Sequence, residues 1–335
     1  MWKLSWTYRD RIIESVVAEH VRKNRKLAIL GTMKVGRTTM ASQYSKHLIS
    51  VPQSGEKVDC DAVIMRPMSL FESYESNGEV SISSLFDGEP LPESSSDIGI
   101  SQLCKIMYRG GWPVFIKNGI QYGKNTDEYL EEVGDLTIPK AVANNITKTV
   151  SFSEILRSTG RGAARVNADQ RIKHLKDIMM VENIPSFDTS LRPRDKILTK
   201  EQWYFVDPSI YCVLMDALPF KMEKNMNVLY PAFFNLVVRD IRVYVTCLGG
   251  ELFHYHTRSR FDAGIVIRLK GGRWALMGIC SKADDIDDTA SRMKSVLDAE
   301  PVIGEASFSM IVVPNGDAYV RDDGIFVIPV GCLRD

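Results

Sequence analysis

Apolar residues recur at helical spacing at the start of the chain and then gather into short runs that are typical of strands. The apolar positions in residues 8–24 share one face of a helix, which predicts an amphipathic helix there. Two short apolar runs, at residues 26–30 and 62–65, have the length of buried strands, and a helix is expected between them over residues 38–47. The stretch 73–99 is rich in Ser, Gly, Glu and Pro, which predicts a long surface loop that holds short segments such as residues 80–86.

The pattern changes in residues 138–220. Three helical stretches are expected at residues 141–149, 153–158 and 166–180, and an extended stretch follows at 184–207. Three helices followed by a β-wing are the order of a winged helix, so we predict a winged-helix-like middle region.

Strand-like and helical patterns alternate in residues 221–335. A long apolar helix, three strands, a helix and two strands are expected, at residues 233–248, 251–255, 263–269, 274–280, 287–297, 307–313 and 324–330. This order predicts an α/β module. We therefore expect an α/β protein in three parts, at residues 1–137, 138–220 and 221–335.

Composition narrows the classes of function. The 335 residues include 42 Lys+Arg and 42 Asp+Glu, and this balance excludes a broadly basic nucleic-acid binder, although a local basic face stays possible. No uncharged apolar run reaches the roughly 18 residues of a bilayer span, and the N-terminus lacks a signal-like apolar core. Six scattered cysteines show no metal-ligand spacing, so we expect a cytoplasmic protein without zinc and without a membrane partner.

Residues 31–39 carry most of a nucleotide phosphate loop, G-x-x-x-x-G-K-[ST]. Gly31 and Gly36 occupy the glycine positions and Thr38 the hydroxyl position, but Arg37 replaces the lysine. We expect Gly31, Gly36, Arg37, Thr38 and Thr39 to hold the phosphates of ATP, with Thr38 as a ligand of Mg²⁺. The alternative is a glycine-rich turn without a ligand.

Seven segments occur in an order that gives the chain a family resemblance. They are AILG (28–31), VGRTT (35–39), RPMSLFES (66–73), RGGWP (109–113), YFVDPS (204–209), NLVVRD (235–240) and LGGEL (248–252). This set resembles the prokaryotic AAA-type ATP-binding proteins that carry a C-terminal domain of unknown function. The resemblance implies a P-loop NTPase core, a winged-helix-like middle and a restriction-endonuclease-like C-terminal domain.

The chain departs from that family in its ATPase core. Such an ATPase needs an acidic residue after a second apolar strand to hold Mg²⁺ and water, whereas Asp59 and Asp61 precede the run 62–65. We therefore expect impaired hydrolysis. The short spacing also predicts a truncated core, in which residues 27–30 and 62–65 pair directly as parallel strands. Such a small sheet leaves an edge uncovered, which favours a homo-oligomer or a protein partner.

The nuclease-like region has lost most of the expected metal ligands. The resemblance places an Asp at Asp262, a Glu-x-Lys at Gly278 and Cys280, and a helix acid at Asn235. One carboxylate is too few for Mg²⁺, so an inactive nuclease-like domain is expected. His254 and His256 share one face of a strand, where we expect exposed histidines rather than a metal pair.

A local excess of basic residues lies in and before the third helix of the middle region. Its members are Arg157, Arg161, Arg165, Arg171, Lys173 and Lys176. In a helix-turn-helix this helix reads DNA, whereas charge runs in general are solvated faces. The alternative function is thus a non-enzymatic DNA- or protein-binding module, and a chain that has lost both activities is a third possibility.

Overall fold

The computed structural model describes most of the chain. The described residues are 8–23, 25–45, 60–117, 126, 130–131, 133–159, 167–187, 201–256, 262–299 and 304–335. Helices and strands are both abundant in them, which confirms the α/β class. None of the described helices combines the length and the apolarity that a bilayer span requires.

The N-terminal elements form a very small sheet with two flanking helices. They are α1 (Glu14–Arg22), β1 (Leu27–Leu30), α2 (Arg37–Tyr44) and β2 (Asp61–Ile64). Strands β1 and β2 pair in parallel, with Leu27 opposite Asp61 and Leu30 opposite Ile64. This pairing confirms the prediction of a direct parallel contact. Within the described residues, no third strand joins this sheet.

The polar stretch after residue 73 is not the surface loop that its composition suggests. It forms β3 (Val80–Ser81), α3 (Ile82–Phe86) and β4 (Ser95–Ser96), and α4 (Ile100–Arg109) and α5 (Pro113–Lys117) follow. Strand β3 pairs with the end of the chain, and Ile82, Leu85 and Phe86 are buried. The short segment expected at residues 80–86 is present, but it is buried rather than at the surface, because the partners that cover it lie more than 200 residues away in sequence.

The middle region forms three helices and a three-stranded antiparallel sheet. In chain order these are α6 (Thr137–Ala143), β5 (Thr149–Val150), α7 (Phe152–Ser158), α8 (Ala168–Asp177), β6 (Val181–Ile184) and β7 (Glu201–Phe205), with β7 central. Helix α6 begins four residues before the expected position, and Thr149 belongs to a strand rather than to that helix. Helix α7 starts at a capping box, in which the side chains of Ser151 and Glu154 bind each other's backbone amides.

The last part begins with helices α9 (Pro208–Leu214), α10 (Pro219–Lys224) and α11 (Met226–Cys247). A six-stranded mixed sheet follows. Its strands are β8 (Glu251–His256), β9 (Asp262–Arg268), β10 (Trp274–Ile279), β11 (Phe308–Val313), β13 (Tyr319–Val320) and β14 (Phe326–Pro329). Their order across the sheet is β13-β14-β11-β10-β9-β8. Helix α12 (Ile286–Ala299) packs on it, and the short strands β12 (Gly316–Asp317) and β15 (Leu333–Arg334) pair with β4 and β3. The long helix, the five expected strands and the helix between them occur in the predicted order, but helices α9 and α10 and the short strands β12, β13 and β15 were missed.

A buried ion network joins four of the segments that carry the family resemblance. Arg239, on α11, donates from Nη1 to Asp207 Oδ2 (3.0 Å) and from Nε to Asp240 Oδ1 (2.8 Å). The three side chains are at most 1% exposed. Burial disfavours the charge on Arg239, but Asp240 and then Asp207 outweigh that effect and raise the pKa of the guanidinium.

The two carboxylates of this network also bind backbone amides, two of them in distant segments of the chain. Asp207 accepts hydrogen bonds from the amides of Gly111 (2.8 Å) and Ser209 (2.9 Å), and Asp240 accepts one from the amide of Leu70 (3.0 Å). Segments 66–73, 109–113, 204–209 and 235–240 therefore meet at one point. The network therefore fixes the chain that follows β2, and with it the surroundings of residues 31–39, which we call the glycine loop.

Gly111→Ala should destabilise the protein by about 2–3 kcal/mol. An added Cβ would lie 2.2 Å from the carbonyl oxygen of Met68 and 2.9 Å from Arg239 Nη1, so the buried network must shift. The control is Gly99→Ala, whose Cβ has no atom within 4 Å and which should cost about 1 kcal/mol or less. Urea unfolding compares them, and equal midpoints would contradict this packing.

Candidate functional site

The glycine loop lies between the carboxyl end of β1 and the first turn of α2. Gly36 is the N-cap of α2 with φ +96°, in the left-handed region that favours glycine. A Cβ on Gly31 would lie 2.3 Å from the carbonyl oxygen of Met65, so the chain after β2 approaches the loop too closely for any other residue. Both glycines of the motif are thus required by geometry.

Arg11 fixes the position of the glycine loop through a buried hydrogen bond. Its guanidinium donates to the carbonyl oxygens of Val35 (3.1 Å) and Arg66 (2.7 Å) and to Glu72 Oε1 (3.0 Å). The Arg11 and Glu72 side chains are 4% and 2% exposed, so this is a buried ion pair. It ties the loop to the segment after β2. Sequence reasoning missed Arg11, because its partners lie far along the chain.

The residues that open α2 face outward. Thr38 and Thr39 are exposed and Arg37 is half-buried. The amides at the start of a helix have no acceptor within the helix, so this end favours anions. In the part of the chain that the structure describes, no carboxylate or hydrogen-bond acceptor pairs with Arg37, and burial lowers the pKa of its guanidinium. A half-buried cation thus stands beside the loop without a compensating anion.

The carboxylates around β2 do not reach the loop. Asp61 begins β2, opposite the first residue of β1, and lies 3.3 Å from His20 Nε2 at the end of the sheet away from the loop. At the carboxyl end of β2 stand Met65 and Arg66 instead of an acid. Among the described residues, no group of three or more His, Cys, Asp or Glu side chains could hold a metal ion.

Three of the four positions where the resemblance expects nuclease residues make packing or hydrogen-bond contacts in the protein interior. A Cβ on Gly278 would lie 2.6 Å from Thr289 Cγ2 and 2.8 Å from Met293 Sδ, so α12 leaves no room for a glutamate there. The Cys280 thiol donates to Thr289 Oγ1 (3.0 Å). Asn235 binds both backbone groups of Phe205, each at 2.9 Å. Asp262 opens β9 opposite His256, and its side chain lies outside the described residues.

The expectation of an exposed histidine at position 254 was wrong. His254 is 1% exposed. Its amide donates to the carbonyl of Pro185 (3.0 Å), and its carbonyl accepts from the amide of Phe187 (2.9 Å). The chain leaving β6 therefore covers the edge of β8, a long-range contact that strand alternation does not reveal. The side chain of His256 lies outside the described residues.

The predicted basic face is only partly assembled in the described residues. Arg157 on α7 and Arg171, Lys173 and Lys176 on α8 are exposed. Arg171 forms an ion pair with Asp135, and Lys176 Nζ lies 4.6 Å from the centre of the Trp203 ring. Arg161 and Arg165 lie outside the described residues.

A second cluster of charges was not foreseen. Glu182 on β6 accepts hydrogen bonds from Arg66 Nε at 3.1 Å and also pairs with Arg242 of α11. Burial alone would raise the pKa of Glu182, but the charges of Arg66 and Arg242 outweigh it and lower the pKa to about 2. These three residues come from distant segments, so no local pattern signals them.

Comparison with known proteins adds no relative. No family model matches the chain, and no curated protein or solved structure is significantly similar to it.

The Glu182→Gln variant should lose part of the decrease in the free energy of unfolding that the wild type shows as the pH falls. The pKa of Glu182 falls from 4.5 to about 2 on folding, so its ionised form stabilises the protein above pH 4.5 and this contribution disappears as the pH falls toward 2. At neutral pH the substitution should cost roughly 3 kcal/mol, and the difference from wild type should shrink on acidification.

Urea unfolding between pH 7 and the acid limit of the folded state measures this difference. Glu251→Gln is the control, because it removes an exposed carboxylate nearby whose contact to Arg268 is 3.5 Å. A difference between wild type and Glu182→Gln that stays constant with pH would refute the assignment.

Proposed function

We propose that the protein binds ATP through the loop of residues 31–39, as an AAA-type P-loop protein with impaired hydrolysis. The observation that supports this most is Arg37, a half-buried guanidinium without an anionic partner among the described residues. It stands at the first turn of α2, directly after Gly36, whose left-handed backbone favours glycine, and in the loop that begins at Gly31, where a Cβ would clash with the carbonyl oxygen of Met65. Helix amides and an unpaired cation together form a phosphate site.

In this proposal each loop residue has one task. Gly31 and Gly36 let the backbone amides close around the phosphates, and Arg37 neutralises phosphate charge in the place of the usual lysine. The exposed hydroxyl of Thr38 would hold Mg²⁺ together with phosphate oxygens and water, and Thr39 adds a second hydroxyl to the same turn. Bound Mg²⁺ would supply further charge neutralisation.

Impaired hydrolysis follows from the surroundings of the loop. Hydrolysis needs a carboxylate that positions Mg²⁺ and the attacking water. Among the described residues, Glu72 is occupied by Arg11 and Asp61 lies at the opposite end of the sheet. The guanidinium of Arg37 also differs in shape from a lysine ammonium, which disfavours the geometry of phosphoryl transfer.

Arg37→Gln should weaken ATP binding about tenfold or more, because a charge-assisted contact to phosphate is lost. Arg37→Lys should bind ATP at least as tightly as wild type. The matched control is Arg22→Gln, an exposed arginine on α1 that should leave affinity unchanged. Titration calorimetry with ATP and Mg²⁺ measures all four proteins. Equal affinities for wild type and Arg37→Gln would overturn the proposal.

Purified protein should hydrolyse ATP at or near the background rate, and Arg37→Lys should not restore turnover. The lack of such a carboxylate among the described residues, rather than the arginine alone, limits the reaction. A phosphate-release assay with and without Mg²⁺ tests this expectation. Robust turnover that Thr38→Ala abolishes would contradict it.

DNA binding through the middle region is the second candidate function. Helix α8 is the third helix of a winged-helix-like order; it buries Ile172 and Leu175 and exposes Arg171, Lys173 and Lys176. This is the helix that enters the major groove in helix-turn-helix proteins. Without the Glu-x-Lys pair, the nuclease-like C-terminal region would contribute no cleavage.

Lys173→Glu combined with Lys176→Glu should weaken binding to a short duplex and lower the slope of log affinity against log salt by about one per lost phosphate contact. Lys270→Glu with Lys294→Glu is the charge-matched control, in the turn between β9 and β10 and on α12. Fluorescence anisotropy at two salt concentrations measures both. Equal affinities of the two double variants would exclude this face.

A further inference from the structure

A cleft opens beside the segment that follows β2, on the side occupied by α8, β6 and the C-terminal end of α11. It has a volume of about 370 Å³, within the range of small-molecule sites of roughly 300–1,000 Å³. Its polar lining consists of Arg66, Lys176, Glu182, Asn183, Arg242, Thr246 and Glu251. The glycine loop does not contribute to it.

The cleft holds more positive than negative charge. Arg66 and Arg242 share the single carboxylate of Glu182, and their side chains are only 12% and 10% exposed. Lys176, whose Nζ lies 4.6 Å from the centre of the Trp203 ring, adds a third cation at the edge of the cleft. The other acid in the lining, Glu251, is itself in contact with Arg268. One carboxylate therefore balances two poorly solvated guanidiniums, which leaves a local excess of positive charge.

The two guanidiniums also keep hydrogen-bonding capacity. Arg66 donates to Glu182 and to Thr246 Oγ1, and Arg242 donates to Glu182 and to the carbonyl oxygen of Asn183. An arginine has five N–H donors, so neither residue uses its full set in these contacts. Spare donors on two neighbouring guanidiniums suit a planar carboxylate or a phosphate.

The rest of the cleft is apolar. Ile64, Met179, Val181, Val245 and Leu252 line it. Met179 adopts φ +55° just beyond the end of α8, where the amides of Met179 and Met180 bond back to the carbonyl oxygens of Lys176 and Leu175. The walls therefore fit an apolar body attached to the anionic group.

We propose that this cleft binds a small molecule with one carboxylate or phosphate group on a compact apolar body. The anionic group contacts Arg66 and Arg242, Lys176 completes the charge at the opening, and the apolar body lies between Val181 and Leu252. The site is separate from the nucleotide loop.

Calorimetry with phenyl phosphate and phenylacetate tests the proposal, with benzyl alcohol as the neutral comparison. Both anions should bind and the alcohol should not. Lys176→Gln should weaken the anions about threefold to tenfold, since one exposed charge is lost. Glu182→Gln should tighten them, because it frees both guanidiniums.

Two controls define the site. Lys173→Gln removes an exposed charge from the same helix and should leave affinity unchanged. Arg37→Gln should also leave it unchanged, which separates the cleft from the nucleotide loop. Lys176 is exposed, so its variant stays informative even if Glu182→Gln does not fold.

Three results would overturn the proposal. They are no binding of either anion at millimolar concentration, equal binding of benzyl alcohol, and an affinity that Lys176→Gln leaves unchanged. Binding of a DNA duplex in an Lys176-dependent manner, without either small anion, would instead make the cleft a contact for backbone phosphates and would equally refute a small-molecule site.

Discussion

The buried network of Asp207, Arg239 and Asp240 is the constraint on which the rest of the structure depends. Charges that are almost completely removed from water must be paired and hydrogen-bonded, and here the oxygens of the two carboxylates also accept hydrogen bonds from the amides of Gly111, Ser209 and Leu70. Segments separated by more than a hundred residues are thereby fixed at one point. The loop after β2 is among them, so the position of the glycine loop follows from this network.

Two arginines near the glycine loop differ in whether a carboxylate of the described residues neutralises their charge, and this difference indicates which of them has a structural role. Arg11 is fully buried and bound to Glu72, so its charge is satisfied and its role is to hold the loop. Arg37 is half-buried and has no such partner in the described residues. An uncompensated cation costs folding free energy unless an anion binds to it. This difference is the physical basis for assigning phosphate binding to Arg37 and not to its neighbour.

Local patterns in the sequence predicted the elements whose partners are close in the chain. The strands of residues 251–313 and the helix between them follow from periodicity, and the spacing of residues 27–30 and 62–65 was enough to predict their parallel pairing. Contacts with distant segments could not be predicted in this way. Examples are the burial of residues 80–86 by the end of the chain, the cover over His254, and the Arg66–Glu182–Arg242 cluster. The motif located the candidate loop, whereas Arg11, which holds it in place, carries no local signal.

The central claim is that the loop of residues 31–39 holds a nucleotide through its phosphates. A crystal structure of the protein soaked with ATP and Mg²⁺ tests it most directly. The account predicts a triphosphate against the amides that open α2, with the Arg37 guanidinium on a phosphate oxygen and no carboxylate beside the terminal phosphate. An empty loop at saturating ATP, or a nucleotide bound in the Arg66–Arg242 cleft instead, would contradict it.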